Sequence, residues 1–156
     1  MSLIEKTAVK EIYTEIAEHF SNKRQNQWDW ITKFVQNVNS DTINKPIKVL
    51  DIGCGNGRNM TEFNPEICSV FGIDNCEKFI KICNDRGLNV VHSDMSKMPF
   101  KDNYFHYFLS IASFHHLSTI ERRIQTLREI NRVAKVGALM LISVWSLKQP
   151  ENTPQS

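Results

Sequence analysis

Three glycines at alternating positions follow directly on a short apolar run, in the stretch VLDIGCGNG at residues 49–57. The run predicts a strand that ends in a sharp turn, because glycine lets the backbone turn tightly and come close to a ligand. The spacing is GxGxG, which differs from the GxGxxG of dinucleotide-binding folds. Asp51 stands two residues before the first glycine, where its charge would repel a pyrophosphate. It fits a cationic ligand that carries an amino acid moiety.

Apolar runs alternate with helical patterns from residue 47 to residue 145. The runs that predict strands are Ile47–Ile52, Ser69–Ile73, Asn89–His92, Phe105–Ser110 and Ala138–Trp145. The main helical patterns lie near residues 76–86 and 119–135, and two more amphipathic helices precede residue 39. Strands that alternate with helices predict an α/β fold, with a mostly parallel sheet and helices on both faces.

The helix after the fourth run is predicted from both of its ends. Ser118 and Glu121 match a capping box with Ser118 as the N-cap, and Gly137 fits the other end as a terminator. Its predicted buried stripe comprises Ile120, Ile124, Leu127, Ile130 and Ala134. His115 and His116 therefore fall in the loop at the carboxyl end of the fourth strand, the edge at which open α/β sheets bind ligands.

Two more acidic residues follow predicted strands. Asp74 ends the second strand, where a carboxylate can accept hydrogen bonds from both hydroxyls of a ribose. Asp94 and Met95 follow the third strand, where an acceptor and a thioether could bracket an adenine. The glycine loop with Asp51, then Asp74, then Asp94 resembles the class I S-adenosylmethionine-dependent methyltransferases. A Rossmann-like domain that binds NAD, or no ligand, is the alternative that a lone glycine loop would leave open.

This resemblance implies a Rossmann-like fold and S-adenosylmethionine as cofactor, with S-adenosylhomocysteine as product. Asp51, Gly53, Gly55, Gly57, Asp74, Asp94, Met95, Ser110, Ile111 and Tyr13 are the implied cofactor-binding residues. The chain stops just after the fifth predicted strand, so we expect the fold to lack its last two strands. Either the chain is a fragment or it is a short member of the family.

The composition fits one globular domain, since the 156 residues are 41% hydrophobic and 23% charged. We expect residues 1–39 to form a lid and substrate region and residues 47–149 to form the cofactor-binding core. The four cysteines lack CxxC spacing, no apolar run could span a membrane, and the N-terminus is unlike a signal peptide. These features predict reduced thiols in a cytoplasmic protein, or one shared with the nucleus. A net charge of +2 permits a nucleic-acid partner without requiring one.

Two further motifs narrow the resemblance. His19-Phe20-Ser21-x-x-Arg24 and SIASFHHLSTIERR, residues 110–123, together are similar to the eukaryotic tRNA wobble-uridine methyltransferases. That family esterifies 5-carboxymethyluridine in the anticodon loop, and its domain is fused to an AlkB-like oxygenase in animals. The resemblance implies tRNA as partner, and a small zinc-binding activator paired at the edge strand, residues 89–92. Phe105-His106, Gly137-Ala138 and Cys76 depart from the family pattern.

The proposed reaction needs alignment more than proton transfer. A carboxylate with a pKa of about 4 is already ionised at pH 7, so it needs no general base. Arg24 is the candidate to orient it, because a guanidinium holds both carboxylate oxygens in a fixed fork; an RNA phosphate contact is the alternative. At least one of His115 and His116 is expected to face the reacting groups, and His116 is preferred for the substrate. No other His or Cys has metal-ligand spacing, so no metal is expected in this chain.

The remaining candidate contacts are with RNA. Trp145 could stack on an unstacked base at the end of strand five. Arg122 and Arg123 belong to a basic helix face that could contact phosphates, although such faces are usually only solvated. Two other functions stay open: a class I methyltransferase for a small molecule, and a non-catalytic scaffold subunit that keeps the fold.

Overall fold

The helices and strands follow one another as the alternating pattern predicts. The computed structural model describes residues 2, 4–15 and 28–146. A π-helical segment, Glu5–Glu11, comes first, followed by helix α1, Asp29–Asn39. The core then comprises strand β1 (Ile47–Ile52), strand β2 (Cys68–Asp74), helix α2 (Glu77–Asp85), strand β3 (Val90–His92), strand β4 (Phe105–Ile111), helix α3 (Ile120–Val133) and strand β5 (Ala134–Ser143). None of the helices among these residues is long and apolar enough to cross a membrane.

The five strands form one sheet in the order β3-β2-β1-β4-β5, and every neighbouring pair is parallel. The predicted α/β class with a parallel sheet is confirmed. β1 lies at the centre, with Asp51 beside Gly72 of β2 and Leu109 of β4. β3 and β5 are the two edges, and the carboxyl ends of all five strands point the same way.

Helices cover both faces of the sheet because alternate side chains of a strand point to opposite sides. Ile47 and Val49 of β1 pack with α1, which buries Ile31, Val35 and Val38. Leu50 and Ile52 pack on the other face with α3, which buries Ile130 and Val133. The second face also holds a cluster of edge-to-face aromatic rings, namely Phe71, Phe100, Tyr104, Phe105 and Phe108. The sheet is therefore a rigid base for the loops at its carboxyl edge.

Helix α3 begins one residue later than predicted, and its buried face agrees with the prediction only at Ile130 and the adjoining Ala134. Thr119 is the N-cap, and its hydroxyl accepts a hydrogen bond from Arg122 N at 3.2 Å. Ser118 instead contacts residues of the N-terminal segment. Thr126, Ile130 and Val133 face the sheet, whereas Ile120, Ile124 and Leu127 are 66%, 43% and 49% exposed. Both stripes have helical spacing, so the pattern alone could not select the buried one.

The end of α3 also differs from the prediction. The helix stops at Val133, and Ala134 already pairs with Phe105 as the first residue of β5. The register then shifts by three residues before Leu139 pairs with Tyr107. Gly137 lies in this irregular stretch with φ +82°, so it permits a bulge in the edge strand and does not terminate the helix.

Candidate functional site

A cavity opens at the carboxyl edge of the sheet, where the predicted site residues should meet. Its walls come from the glycine loop, the ends of β2 and β4, the turns that follow β3 and β4, and the N-terminal helix. Gly53, Gly55, Asp74, Met95, Ile111, His116, Tyr13 and Trp145 all line it, as predicted for a common site. Their individual roles stay predictions.

The glycine loop is held by close packing as well as by backbone freedom. Gly53 has φ +73°, and a Cβ on it would clash with the side chain of Ser113. Gly55 has φ +53° with open space around its Cα, and its N–H donates to Asp74 Oδ2 at 2.9 Å. Gly57 does not line the cavity; a Cβ on it would clash with Leu88. Gly53 is therefore needed for close contact with Ser113, Gly55 for the close approach of a ligand, and Gly57 for packing against Leu88.

Asp74 is a nearly enclosed carboxylate at the end of β2. Its oxygens accept hydrogen bonds from Gly55 N and Cys76 N, both at 2.9 Å. Burial raises the pKa of Asp74, and these backbone hydrogen bonds oppose the increase. Because each carboxylate oxygen has two acceptor positions, Asp74 can still accept from a ligand while it holds the glycine loop.

Asp51 breaks the rule that buried polar groups are hydrogen-bonded. It is 1% exposed, and neither carboxylate oxygen has a hydrogen-bond partner among the described residues. Burial, with a smaller contribution from the charge of Asp74, raises the pKa of Asp51 to about 7. A cationic ligand next to this carboxylate would supply the missing compensation.

The two histidines occupy different environments in the short 3₁₀ helix Phe114–His116. His116 lines the cavity, and its Nε2 lies 3.1 Å from the hydroxyl of Tyr13. Burial, with a smaller contribution from His115, lowers the pKa of His116 to about 4, so the ring is neutral at pH 7. His115 does not line the cavity, and its buried Nδ1 has no partner among the described residues. Among the residues that the structure describes, no group of three or more His, Cys, Asp or Glu side chains could hold a metal ion.

The turn after β4 is strained and is held by β5. Ala112 has φ +51°, a conformation that costs energy for a residue with a Cβ. Its N–H donates to the backbone oxygen and the hydroxyl of Ser143, each at 3.1 Å. Ser113 follows, lines the cavity and donates to Ile52 O at 2.8 Å. Ser110, predicted to lie along the cofactor, is fully buried beneath Ser113 and does not reach the cavity.

Arg122 joins three parts of the chain that are distant in sequence. Its Nη2 lies 2.7 Å from Asp94 Oδ2 and 3.1 Å from Glu5 Oε2, and its Nη1 contacts Ser96 Oγ. Glu5 also accepts from Ser118 N at 2.9 Å. We call Glu5, Asp94 and Arg122 the clasp, because it fixes the N-terminal helix beside the cavity.

The clasp corrects two sequence predictions. Asp94 does not line the cavity, because its carboxylate faces Arg122; its neighbours Ser93 and Met95 line the cavity instead. The guanidinium of Arg122 is engaged by two carboxylates within the protein, so it is not presented to an RNA phosphate. Arg123 is exposed and donates to Leu117 O, and its contact with RNA stays a prediction.

The mouth of the cavity has an aromatic and cationic character that the sequence did not reveal. Trp145 is 49% exposed there, as expected for a stacking residue. Trp28 also lines the cavity and stacks on Trp30, with ring centroids 5.3 Å apart and planes inclined by 12°. Arg58 lies over the Trp28 ring at 6.0 Å from its centroid. Arg24, predicted to orient the substrate, lies outside the described residues.

Several residues near the cavity were not predicted from the sequence, because contacts between distant segments of the chain bring them to this region. Ser113 adjoins the predicted His115-His116 pair, and Arg58 adjoins the glycine loop, so proximity in sequence was the available signal for both. Trp28 was given no site role from the sequence. Glu5, which does not line the cavity but belongs to the clasp, carried no signal, because Ser118 and Arg122 lie more than 110 residues away.

Comparison with known proteins identifies the fold that carries this cavity. The family model described as "Methyltransferase domain" matches residues 50–142. This range includes the glycine loop, the acidic residues Asp51, Asp74 and Asp94, and His116. The chain belongs to this family. The match covers most of the sheet and most of the cavity lining, but not Val9, Tyr13, Trp28 or Trp145.

The relatives of this methyltransferase-domain chain confirm the narrower resemblance. It is 37% identical to a tRNA (carboxymethyluridine(34)-5-O)-methyltransferase of Arabidopsis thaliana over 96% of the chain. It is 36% identical to the protein of the same name from Schizosaccharomyces pombe over 90% of the chain. The chain spans only 35% of the Arabidopsis protein and 58% of the S. pombe protein.

Solved structures confirm the class I fold of this methyltransferase-domain chain. An S-adenosylmethionine-dependent methyltransferase from Aquifex aeolicus superposes with a TM-score of 0.62 and 27% identity, over 79% of this chain and 68% of that one. A Haloferax volcanii methyltransferase, solved in complex with the Trm112 methyltransferase activator, gives a TM-score of 0.65. It is 18% identical over 86% of this chain and 57% of that one, a likeness that shows the fold alone.

The cavity fits S-adenosylmethionine by the chemistry of its lining. Asp51 is buried and does not line the cavity, so its predicted contact with the cofactor stays a prediction. S-adenosylmethionine carries a sulfonium and an ammonium group, both cations that a nearby carboxylate can compensate. Its ribose has two hydroxyls, for which Asp74 retains acceptor positions. Phe79 and Met95 add apolar surface on the same cavity. The donors and acceptors present therefore match the cofactor that this family uses.

Proposed function

We propose that this chain methylates the carboxylate of 5-carboxymethyluridine at the wobble position of tRNA, with S-adenosylmethionine as methyl donor. The observation that carries the proposal is its similarity, over nearly the whole chain, to proteins named for that reaction. The cavity supports it, because residues of the glycine loop, the end of β2, the turns after β3 and β4 and the N-terminal segment converge there around Asp74. We place the reaction in the cytoplasm, with the nucleus as an additional compartment.

The bound cofactor supplies a sulfonium methyl group, which a carboxylate oxygen can take in a direct displacement. The oxygen–carbon bond forms as the sulfur–carbon bond breaks, so a carboxylate becomes an ester and no proton moves. Asp51 and Asp74 hold the cofactor, and the glycine loop allows close backbone contact. Because alignment is the main requirement, the enzyme needs rigid walls and little acid–base chemistry.

His116 is suited to a positioning role in this reaction. Its depressed pKa keeps the ring neutral at pH 7, so it can offer a hydrogen bond without adding a charge to the site. Tyr13 fixes the ring orientation through Nε2. A neutral imidazole can then meet the uracil edge or the carboxylate by a hydrogen bond, which is the role predicted for His116 from its place after β4.

We propose that a small zinc-binding activator pairs with β3, which makes the protein a heterodimer. β3 is an edge strand, with β2 as its one neighbour among the described residues, and a free strand edge can accept a strand from another chain. The Haloferax complex suggests which class of partner to test, because a methyltransferase of this fold was solved there with a methyltransferase activator. A soluble, fully active protein purified without an activator would contradict this pairing.

The test of the proposed function is methyl transfer to a defined RNA. Purified protein, alone and with an activator, is mixed with labelled S-adenosylmethionine and an anticodon stem-loop that carries 5-carboxymethyluridine. We expect label in the RNA that mild alkali releases, as for a methyl ester, and none in a stem-loop with plain uridine. Label that appears equally in both RNAs, or only in a small acid such as free carboxymethyluracil, would contradict the proposal.

A further inference from the structure

The cavity contains acid at its base and one strong cation at its mouth. Asp74 lines the cavity, and Asp51 lies buried at the end of the adjacent strand. The cationic cofactor offsets part of this negative charge, and a further cation beside the substrate would attract an anionic group. Of the described residues that line the cavity, Arg58 is the one with a guanidinium, and no lysine lies among them. His116 is neutral, so it contributes no positive charge.

Arg58 is fixed at its backbone and along its side chain. It follows Gly57 directly, its N–H donates to Asn56 Oδ1 at 3.2 Å, and its carbonyl accepts from Thr61 Oγ1 at 2.9 Å. The guanidinium carbon lies 6.0 Å from the centroid of the Trp28 ring, within the range of a cation–π contact. A guanidinium held in this way loses less entropy when it binds a planar carboxylate.

Trp28 is itself supported by a second ring. It stacks on Trp30, and it stands as the N-cap of α1, where its carbonyl accepts from Ile31 N at 2.9 Å. The order Trp30, Trp28, Arg58 forms a continuous set of contacts from α1 to the cavity. Both tryptophans remain more than one third exposed, which is costly for large apolar rings unless they meet a ligand or another chain.

We propose that Arg58 binds the substrate carboxylate that receives the methyl group, and that Trp28 positions its guanidinium. This assignment rests on the proposed function and names the residue within that site that recognises an anionic pyrimidine. The guanidinium holds one carboxylate oxygen or both through N–H donors while the charge on the nucleophile is retained. Arg58 thereby takes the role that the sequence assigned to Arg24.

The experiment measures recognition apart from turnover. The full chain, with its activator if one is required, binds two anticodon stem-loops, one with 5-carboxymethyluridine and one with the neutral 5-carbamoylmethyluridine. S-adenosylhomocysteine is present at saturation, and its own affinity is measured separately by calorimetry. We expect the wild type to prefer the carboxylate RNA by about tenfold or more, the scale of a charge-assisted hydrogen bond.

Substitutions separate the two residues. Arg58→Gln should abolish the preference for the carboxylate RNA, and Arg58→Lys should keep part of it, with S-adenosylhomocysteine affinity within about threefold of wild type. Trp28→Leu should reduce the preference, and Trp28→Phe should restore most of it, because a phenyl ring can still meet the cation. Lys81→Gln is the matched control, since this cation is 82% exposed on α2 and does not line the cavity.

Three outcomes would overturn the assignment. The preference could persist in Arg58→Gln, which would return the role to another cation such as Arg24. Arg58→Gln could weaken S-adenosylhomocysteine as much as RNA, which would show that Arg58 binds the cofactor. The wild type could show no preference at all. A wild type that prefers the carboxylate RNA but transfers no methyl group would contradict the proposed function while it supports the role of Arg58.

Discussion

The amino ends and the carboxyl ends of the strands, here called the amino edge and the carboxyl edge of the sheet, differ in how well their polar groups are hydrogen-bonded. At the amino edge, His106 accepts from Lys48 N at 2.9 Å, and its other ring nitrogen lies 2.9 Å from Lys135 Nζ. Arg132 there donates to two carbonyls and to the carboxylates of Glu129 and Asp102. At the carboxyl edge, Asp51, Asn59 and His115 account for four of the five buried side-chain atoms that lack a partner among the described residues.

This difference separates the part of the molecule that stabilises the fold from the part that binds ligands. The left-handed backbone at Ala112 and the carboxylate of Asp51, which has no hydrogen-bond partner among the described residues, both raise the free energy of the folded state. They persist because the well-packed sheet beneath them offsets the cost. Buried polar groups lack partners in the region where a bound ligand can later supply them.

The largest expected effect comes from the glycine loop. Gly53→Ala combines a left-handed backbone with a clash against Ser113, so we expect a loss of about 2–5 kcal/mol in unfolding free energy. Gly87→Ala is the matched control, because Gly87 has φ +72° but nothing within 4 Å of the added Cβ, and it should lose only about 1–2 kcal/mol. Urea unfolding measures both. Equal losses would show that contact with Ser113 has no energetic weight.

The next effect comes from the clasp. Arg122→Met leaves the carboxylates of Glu5 and Asp94 close together with no cation, and we expect a loss of about 2–3 kcal/mol at pH 7. Hydrogen bonds and the charge of Arg122 outweigh burial and lower the pKa of both carboxyls. Their stabilising contribution is therefore present above the ordinary carboxyl pKa and is lost as pH falls through the lowered values. Urea unfolding should show the variant approaching wild type below about pH 4.

Hydrogen exchange adds a second measurement to the clasp prediction. The amides of residues 5–15 should exchange faster in Arg122→Met, because the clasp ties this segment to α3. Arg128→Met removes an exposed arginine from the same helix and should leave both stability and exchange unchanged. Unchanged exchange in the Arg122 variant would mean that other contacts hold the N-terminal helix.

A smaller effect, of opposite sign, is expected at Asp51. Asp51→Asn removes a buried charge without partners, so the ligand-free protein should gain about 1–3 kcal/mol at pH 8. The raised pKa of Asp51 sets the direction of the pH dependence. Wild-type stability falls as pH rises from about 4 to about 7, because the folded state retains a proton that the unfolded state loses. Above about pH 7 the penalty is constant. Thermal unfolding across this range measures the gain, and calorimetry should show weaker S-adenosylmethionine binding.

Thr126→Val is the matched control for that prediction. Thr126 is fully buried in α3, and its hydroxyl has no partner among the described residues, but it lies away from the cavity. The variant should gain about 1 kcal/mol at every pH and should bind the cofactor as wild type does. If Asp51→Asn behaves in the same way, the carboxylate of Asp51 has no part in binding.

The smallest effect is expected at the amino edge. Asp102 lies 2.8 Å from Arg132 Nη1, but its side chain is 69% exposed and Arg132 has other partners. Asp102→Asn should change the unfolding free energy by less than about 0.5 kcal/mol, as measured by urea unfolding. A loss as large as that in Arg122→Met would remove the contrast between the two kinds of ion pair.

Features that depend on local sequence were predicted well. β1 was predicted at its observed bounds, since a short, mostly apolar run that ends at a glycine loop is typical of a buried strand. Asp74 and His116 were placed correctly because strand ends in a parallel sheet meet at one edge. The buried face of α3 was not predictable from spacing, since two apolar stripes compete and a threonine lies at the centre of the buried one.

The rest of the site depends on contacts between distant segments. Glu5 meets Arg122, and Tyr13 meets His116, across more than 100 residues. Asp94 was predicted from its place after β3 to face the adenine, but a partner on another helix turns it away from the cavity. Which member of a cluster faces the ligand is set by such pairings, and no window of sequence contains both members.

The wide sequence span of the cavity has a consequence for biosynthesis. Its walls include Val9 and Trp145, and the strained turn at Ala112 is held by Ser143. A chain still on the ribosome cannot complete the cofactor site until its fifth strand has emerged. Until then the Asp51 carboxylate has no ligand to offset its burial, so the sheet must form without help from S-adenosylmethionine. The cofactor thus stabilises the finished protein and cannot guide its early folding.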